Sequence, residues 1–335
     1  MQAAGCSKCG VEKRSDLYPR ENSLPPDDAL VNDAATWRVI SEPVEALATV
    51  HSSLATASAL FECIESPPFN DGRWTFRGLG DGAYTLRANI EGVATKPGIA
   101  EDYLEREFRR RAHHFLADVP SHFDDLEWLA LMQHHGAPTR LVDWTKSLYV
   151  AAFFAAESAS AAKPFTIWAI DERSVQAEAA AMLGLPDGAD LSSRENFAKI
   201  YSDDQPDALM LVTPVRPFRM NERLTVQQGL FLCANNPLLS FRRCTAALLV
   251  HGSRRHLASN EWLHKFIVAP EARLDVLRVL DKMNINAATL FPGLDGFCRS
   301  LRTTTQILDH DDWPGVPKFR DRARWVRGTA LPPGA

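Results

Sequence analysis

The sequence predicts an α+β fold, a single mixed domain with a mostly antiparallel sheet flanked by helices. Strand-like runs dominate the second half of the chain, with helical spacings before and among them. These runs lack the regular strand-helix alternation that a doubly wound parallel sheet requires. With 335 residues, 45% apolar and 24% charged, the chain can bury a full core and has the composition of an ordinary globular protein.

Residues 1 to 36 read as a flexible acidic leader. Residues 1 to 70 hold five Lys/Arg against ten Asp/Glu while the remainder balances at 32 against 32, so the net charge of −5 sits in the N-terminal fifth. Pro25-Pro26-Asp27-Asp28 and the missing periodicity before Trp37 agree with a leader. Cys6-Ser-Lys-Cys9 has the spacing of half a zinc knuckle, but no second pair follows nearby. No metal is therefore expected, unless another chain completes the knuckle. The scattered Cys63, Cys233, Cys244 and Cys298 read as reduced thiols. No apolar run is long enough to cross a bilayer and no secretory signal pattern opens the chain, so a cytoplasmic protein without membrane contact is expected.

The globular unit is expected over residues 37 to 310. Val44, Leu47, Leu54, Ala57 and Phe61 recur at helical spacing and predict a helix over 44–63, leading through Pro67-Pro68 to a strand at Trp74-Thr-Phe-Arg-Gly78. Ile99 to Leu116 predicts a helix with Leu104, Phe108, Ala112 and Phe115 on one face. Its other face carries Arg106, Arg109, Arg110 and Arg111 beside Glu105 and Glu107, either a solvated face or an anion-binding one. A further helix is expected to stop at Gly136, followed by an extended segment over 139–142 and an Ala/Phe-rich helix capped by Thr145 or Ser147. Strands are then expected at 165–170, 208–212, 229–233, 246–250 and 264–268, with helices over 270–283 and 295–302. Residues 311 to 335 form a tail whose stretch from Trp313 to Arg327 interleaves five basic residues with three aromatics. Such a mixture suits either a nucleic-acid backbone or docking on the body.

The window from Glu127 to Thr145 is the densest in groups that do chemistry. It holds His134, His135, Arg140, Asp143, Trp144 and Thr145. Arg140 and Asp143 admit two readings: a buried ion pair that holds the loop, or members of a pocket in which an arginine or histidine meets an anion. The apolar neighbours Leu141, Val142 and Trp144 favour the buried pair. No phosphate loop, dinucleotide fingerprint, nucleophile elbow or His-Glu-x-x-His pattern occurs, which argues against those enzyme classes.

Gln133-His-His-Gly-Ala-Pro-Thr-Arg-Leu-Val-Asp-Trp-Thr145, followed by Ala151-Ala-Phe-Phe-Ala155, resembles the signature of the FRG domain. The Phe-Arg-Gly motif lies upstream as Phe76-Arg77-Gly78, with Tyr84-Thr-Leu-Arg87 where the family usually has a leucine-proline-serine-leucine-like run. Arg223 to Phe231 and Thr289 to Gly296 match later blocks, so the resemblance covers Trp74 to Gly296 in order.

Within these blocks the chain also resembles ADP-ribosyltransferases, which use NAD. That resemblance implies Arg77 clamping a pyrophosphate, Thr145 touching the ribose, and Trp144 or Phe153 stacking on nicotinamide, with His134, Arg140, Asp143 and Phe231 around the ligand. Gln227 or Gln228 would stand where such enzymes usually carry a glutamate, and a glutamine cannot supply that charge. Asp143 is then a candidate carboxylate. The alternative is a non-enzymatic module that binds nucleic acid or another anionic ligand through Arg77, Arg140, the 106–111 cluster and the tail. A toxin or antiphage effector role in bacterial or phage conflict is implied for either by the family's distribution. All seven of Arg77, His134, Arg140, Asp143, Thr145, Gln227 and Gln228 are expected to share one cleft.

Overall fold

The central strands are buried along nearly their whole length, as a sheet covered by helices on both faces requires, in a computed structural model that describes residues 10–12, 44–201, 209–236, 239–256 and 261–307. β1 is Gly10–Glu12, and β2 is Thr49–Leu54, entered from a 3-10 turn at Val44–Leu47. Thr56 caps α1 (Ala57–Glu65), and β3 is Trp74–Leu79. Three helices follow: α2 (Asn89–Val93), α3 (Pro97–Arg111) and α4 (Asp125–His134). β4 (Leu141–Thr145), α5 (Leu148–Ser158), β5 (Phe165–Asp171) and α6 (Glu172–Met182) come next. α7 (Arg194–Ile200), β6 (Val212–Val215), α8 (Glu222–Val226), β7 (Gly229–Ala234), α9 (Phe241–His256) and β8 (Leu263–Val268) continue the chain. It ends, within the described residues, with α10 (Arg273–Lys282), α11 (Ala287–Leu290) and α12 (Leu294–Ile307).

The strands form one sheet in the order β1-β2-β8-β5-β3-β4-β7-β6. Every neighbouring pair is antiparallel except β2 with β8. The expected mixed, mostly antiparallel α+β domain is what the structure has. On one face α1, α5 and α10 set Leu60, Phe153 and Val276 against Phe76, Ile167 and Phe266. On the other, α6 and α9 set Val175 and Leu248 against Trp144, Trp168 and Ile170. A third cluster joins α4 and α7 to Leu141 and Phe231 at the β4-β7-β6 end. Among the described residues no helix is long and apolar enough to cross a membrane.

β3 and α5 meet backbone to backbone. A Cβ at Gly78 would stand 2.0 Å from the carbonyl oxygen of Ala151 and 2.7 Å from the nitrogen of Ala155. The helix is alanine-rich for the same reason: Ala151, Ala152, Ala155 and Ala156 are buried, and larger side chains would lift it off the sheet.

Three expected elements differ. The span 44–63 is not one helix, because Thr49–Leu54 joins the sheet between a 3-10 turn and α1. Its β-branched Thr49 and Val50 fit the pleat, and the sheet partner β8 outweighs the helical spacing. Residues 246–250 lie inside α9, not in a strand; a short apolar run cannot by periodicity alone be told from a buried helix segment. The strand expected at 208–212 is Val212–Val215. Within the expected leader, Gly10–Glu12 pairs with β2; Cys6, Cys9, the rest of the leader and the tail from residue 311 lie outside the described residues.

β2 and β8 also carry a buried histidine pair, with His51 Nε2 3.0 Å from His264 Nδ1 and the His51 ring stacked on Phe266. Burial pushes His51 down to about 4 from 6.5. The unfolded chain therefore takes up a proton at His51 near pH 6.5, whereas the folded chain does not until about pH 4. We predict that stability present above pH 6.5 is lost progressively as the pH falls towards 4, by on the order of 3 kcal/mol from this group. Urea unfolding at a series of pH values checks this, and His51→Leu should flatten that part of the profile. A second expectation is that Gly78→Ala lowers stability by about 3 kcal/mol or more, since the clash is with backbone on both sides. A thermal midpoint within 2 °C of the parent, roughly a fraction of a kcal/mol, would contradict the close approach.

Candidate functional site

β3 and β4 pair at one position only, Phe76 opposite Thr145. Towards Gly78 and Asp143 they part, and a cleft of about 170 Å³ opens in the split, lined by Arg77, Asp143, Trp144, Thr145, Arg223 and Gln227 among others. Arg77 spans the gap in place of the missing ladder. Its Nη1 donates to the Asp143 carbonyl oxygen at 2.5 Å and stands 3.9 Å from Asp143 Oδ2. The Arg77 side chain is 18% exposed and that of Asp143 57%. Burial lowers the pKa of the Arg77 guanidinium, and the Asp143 carboxylate opposes that shift.

Asp143 is oriented from a second side. Gln133 Nε2 donates to Asp143 Oδ2 at 2.9 Å, and Gln133 Oε1 accepts from the Thr139 hydroxyl at 2.8 Å. Gln133 was not among the expected site residues, although it heads the very block that drew attention. Arg223 is the second such residue. It makes no ion pair among the described residues and lies over the ring of Phe291, 4.7 Å from its centroid, with Arg299 over the same ring at 4.1 Å. Burial lowers its pKa, the Asp143 carboxylate raises it, and Arg299 lowers it. The cleft thus carries two guanidiniums around one carboxylate.

Thr145 and Gln227 shape the wall. The Thr145 hydroxyl donates to the Gln227 carbonyl oxygen at 2.6 Å and accepts from the Ser147 N–H at 3.0 Å, so it is engaged by the loop, and Ser147, not Thr145, caps α5. Gln227 Nε2 donates to the Leu290 carbonyl oxygen at 2.8 Å, which ties α11 to the cleft. Trp144 lines the cleft yet belongs to the core, and Phe153 is a core residue packed away from it, so neither offers an open stacking face. The partly exposed aromatic of the cleft is the half-buried Phe154.

Of the cleft-lining residues, Arg77 Nε and Trp144 Nε1 are buried donors with no partner among the described residues. Each buried polar group left so costs about 1–3 kcal/mol.

Not all seven expected residues converge. Arg140 faces away, and its partner is Glu101 on α3: the Arg140 N–H donates to Glu101 Oε1 at 2.5 Å and Arg140 Nε to Glu101 Oε2. The expected Arg140–Asp143 pair does not form, because residues three apart on a strand point to opposite faces. Burial lowers the Arg140 pKa, but the Glu101 carboxylate more than offsets this and the net shift is upward. Phe231 sits opposite Asp143 in the ladder but is buried at 3% exposure. Gln228 takes φ 49° in the turn before β7, and its carbonyl oxygen accepts from the Lys146 N–H at 3.0 Å; it does not line the cleft. His134 ends α4 beside the cleft without lining it; burial, then His135 and Arg223, lowers its pKa. The arginines of α3 are largely engaged: Arg109 with Glu105 and Asp125, Arg110 and Arg111 with Glu107. No group of three or more metal-ligating side chains occurs among the described residues.

Residues 72–163 match the FRG domain family. That span contains β3, Gln133, β4 and α5, whereas Arg223 and Gln227 lie beyond it. No curated protein and no solved structure matches the chain.

The pairing makes a definite prediction. Glu101→Ala strands Arg140 out of water and should cost about 3–5 kcal/mol, while Glu101→Leu with Arg140→Met together should cost much less than the sum of the single changes. Asp143→Asn, at an exposed carboxylate, should stay within about 1 kcal/mol. Denaturant midpoints of these variants, together with the Glu101→Leu and Arg140→Met single changes, check this.

Proposed function

We propose, from the premise that the chain carries an FRG domain, that the split between β3 and β4 receives one end of an NAD-class nucleotide and that the protein is an ADP-ribosyltransferase-like enzyme. The observation that carries this reading is the setting of Asp143. It is the one carboxylate among the cleft-lining residues, held by Gln133 and placed between Arg77 and Arg223.

The chemistry asked of it is electrostatic. When the bond between ribose C1′ and the nicotinamide nitrogen breaks, its electron pair leaves with nicotinamide and positive charge develops on the ribose. A fixed carboxylate stabilises that charge in a partly dry cleft. The acceptor, water or a target nucleophile, then forms the new bond to C1′ and releases its proton. Neither glutamine competes for this role: Gln227 is engaged with Leu290, and Gln228 does not line the cleft. Arg223, which lines the cleft and has no ion-pair partner among the described residues, suits the phosphates. At about 170 Å³ the cleft is smaller than the roughly 300–1,000 Å³ of sites that enclose a whole drug-sized ligand, so the remainder of a dinucleotide lies over the mouth. An effector role in bacterial or phage conflict rests on the family resemblance.

The second reading, an anion-binding module without turnover, draws on the same two arginines. The ion pairing of the α3 arginines weakens its nucleic-acid form. One experiment separates the two. With NAD added, the expected outcome is a raised thermal midpoint and nicotinamide release detected by mass spectrometry, with Asp143→Asn keeping the midpoint rise and losing about 100-fold or more in release. A midpoint rise with no nicotinamide from the parent would leave the binding module, and no response of either kind to NAD would sink the NAD reading.

A further inference from the structure

The histidine pair on β2 and β8 has its tautomers fixed by what surrounds it. A carbonyl only accepts, so His264 Nε2 carries the proton and donates to the Glu261 carbonyl oxygen at 2.8 Å. His264 Nδ1 then accepts from His51 Nε2 at 3.0 Å, because the reverse arrangement needs a buried imidazolium. His51 is neutral for the same reason. Its Nδ1 therefore holds a lone pair, and it faces the sulfur of Cys63 on α1 at 4.0 Å. Both residues are buried, and the rings of Phe69, Trp74 and Phe266 pack on the histidine pair.

A metal-ligating histidine commonly gives its second ring N–H to an acceptor that holds the ring in place. His264, itself held by a backbone carbonyl, stands in that position behind His51. Two ligands of a tetrahedral zinc, a sulfur about 2.3 Å and a nitrogen about 2.0 Å from the ion, lie roughly 3.6 Å apart. Cys63 and His51 are within a few tenths of an ångström of that spacing. Two ligands do not make a site, and the described residues supply no group of three or more. The sequence supplies the other two. Cys6-Ser-Lys-Cys9 directly precedes β1, and β1 lies antiparallel to β2 with Gly10 opposite Ser52 and Val11 opposite His51. The half-knuckle thus enters the sheet beside the one buried histidine whose lone pair meets a thiol.

We propose that Cys6, Cys9, Cys63 and His51 Nδ1 bind one zinc ion in a closed structural site, with His264 as the positioning residue behind the ring. Cys6 and Cys9 lie outside the described residues, and their place in the site follows from the register: two-residue alternation gives position 9 the face of position 11, opposite His51. Three thiolates and one neutral imidazole are a set that zinc takes in tetrahedral structural sites. Binding releases the three thiol protons to solvent, and no electron is transferred. The knuckle is completed by the fold of its own chain, not by a second pair nearby in sequence. The ion ties β1, the end strand of the sheet, to α1, at the other side of β5 and β8 from the cleft.

The zinc content of the full chain, expressed with zinc and purified under reducing conditions, tests this, together with cobalt(II) exchanged into the same protein. One zinc per chain is expected, and the cobalt form should show the visible bands of a tetrahedral ion with the ultraviolet charge transfer of three thiolates. Cys9→Ser and Cys63→Ser should each weaken zinc binding about 100-fold or more in competition with a chelator, and His264→Leu about tenfold. Cys298→Ser, at an exposed cysteine elsewhere, should leave it unchanged. Should a variant fail to fold, the cobalt spectrum of the parent still counts the thiolates. A Cys63 thiol that merely donates to His51 gives no bound zinc and no cobalt bands, which overturns the site. Full zinc retained by Cys63→Ser, or one zinc shared between two chains in native mass spectrometry, overturns it as well.

Discussion

The buried grip of Glu101 on Arg140 decides what the centre of the sheet presents to the cleft. Glu101 reaches from α3 to both the backbone N–H and the side chain of Arg140, one residue before β4 begins. With Arg140 turned inward, two-residue alternation leaves β4 no freedom. Val142 and Trp144 follow Arg140 to the α6-α9 side, while Leu141, Asp143 and Thr145 take the other. The exposed carboxylate at the split is thus set by an ion pair it does not touch. Replacing this pair by an apolar one need not lower stability, but it would remove the specification of which face is which.

The split itself follows from a second constraint. Gly78 lets β3 approach α5 until backbone touches backbone, which pulls the end of β3 towards that helix. β4 instead continues its ladder with β7 through five positions, Leu141 opposite Cys233 to Thr145 opposite Gly229. The two strands therefore separate after one shared pair, and Arg77 fills the gap with its side chain. The Phe-Arg-Gly triplet reads in these terms as a core anchor, a bridging cation and a contact point without a side chain.

Much of this was legible in the sequence. Strand-like runs and the Phe-Arg-Gly block placed β3, β5, β7 and β8, and Gly136, at φ 83°, ends α4 as expected. Arg77, Asp143, Thr145 and Gln227, which come from blocks far apart in the sequence, line one cleft. The partner of Arg140 was not legible, because Glu101 lies 39 residues away on a helix crowded with other charges, and no local spacing marks one glutamate as buried. Reading Arg140 and Asp143 as partners also ignored strand alternation, which forbids it. Gln133 and Arg223 were in view but unassigned: an amide and a guanidinium gain meaning only from what the fold brings within 3–5 Å of them. Residues 246–250 failed for another reason, since a buried helix under a sheet is apolar all round and carries no strand-distinguishing period.

The parallel pairing of β2 with β8 sets a clock on the ribosome. His51 and His264 are neighbours in space but 213 residues apart in the chain. At roughly 5–20 residues per second, β2 waits about 10–40 s after its own synthesis for the strand that covers it. Throughout that interval an edge with a stackable histidine and unsatisfied backbone groups is open to other chains. The β3-β4-β5 centre, whose residues follow one another within about a hundred positions, can close long before, but the cleft wall waits longer still, since Arg223 and Gln227 are held by Phe291 and Leu290, which follow β8 in the chain.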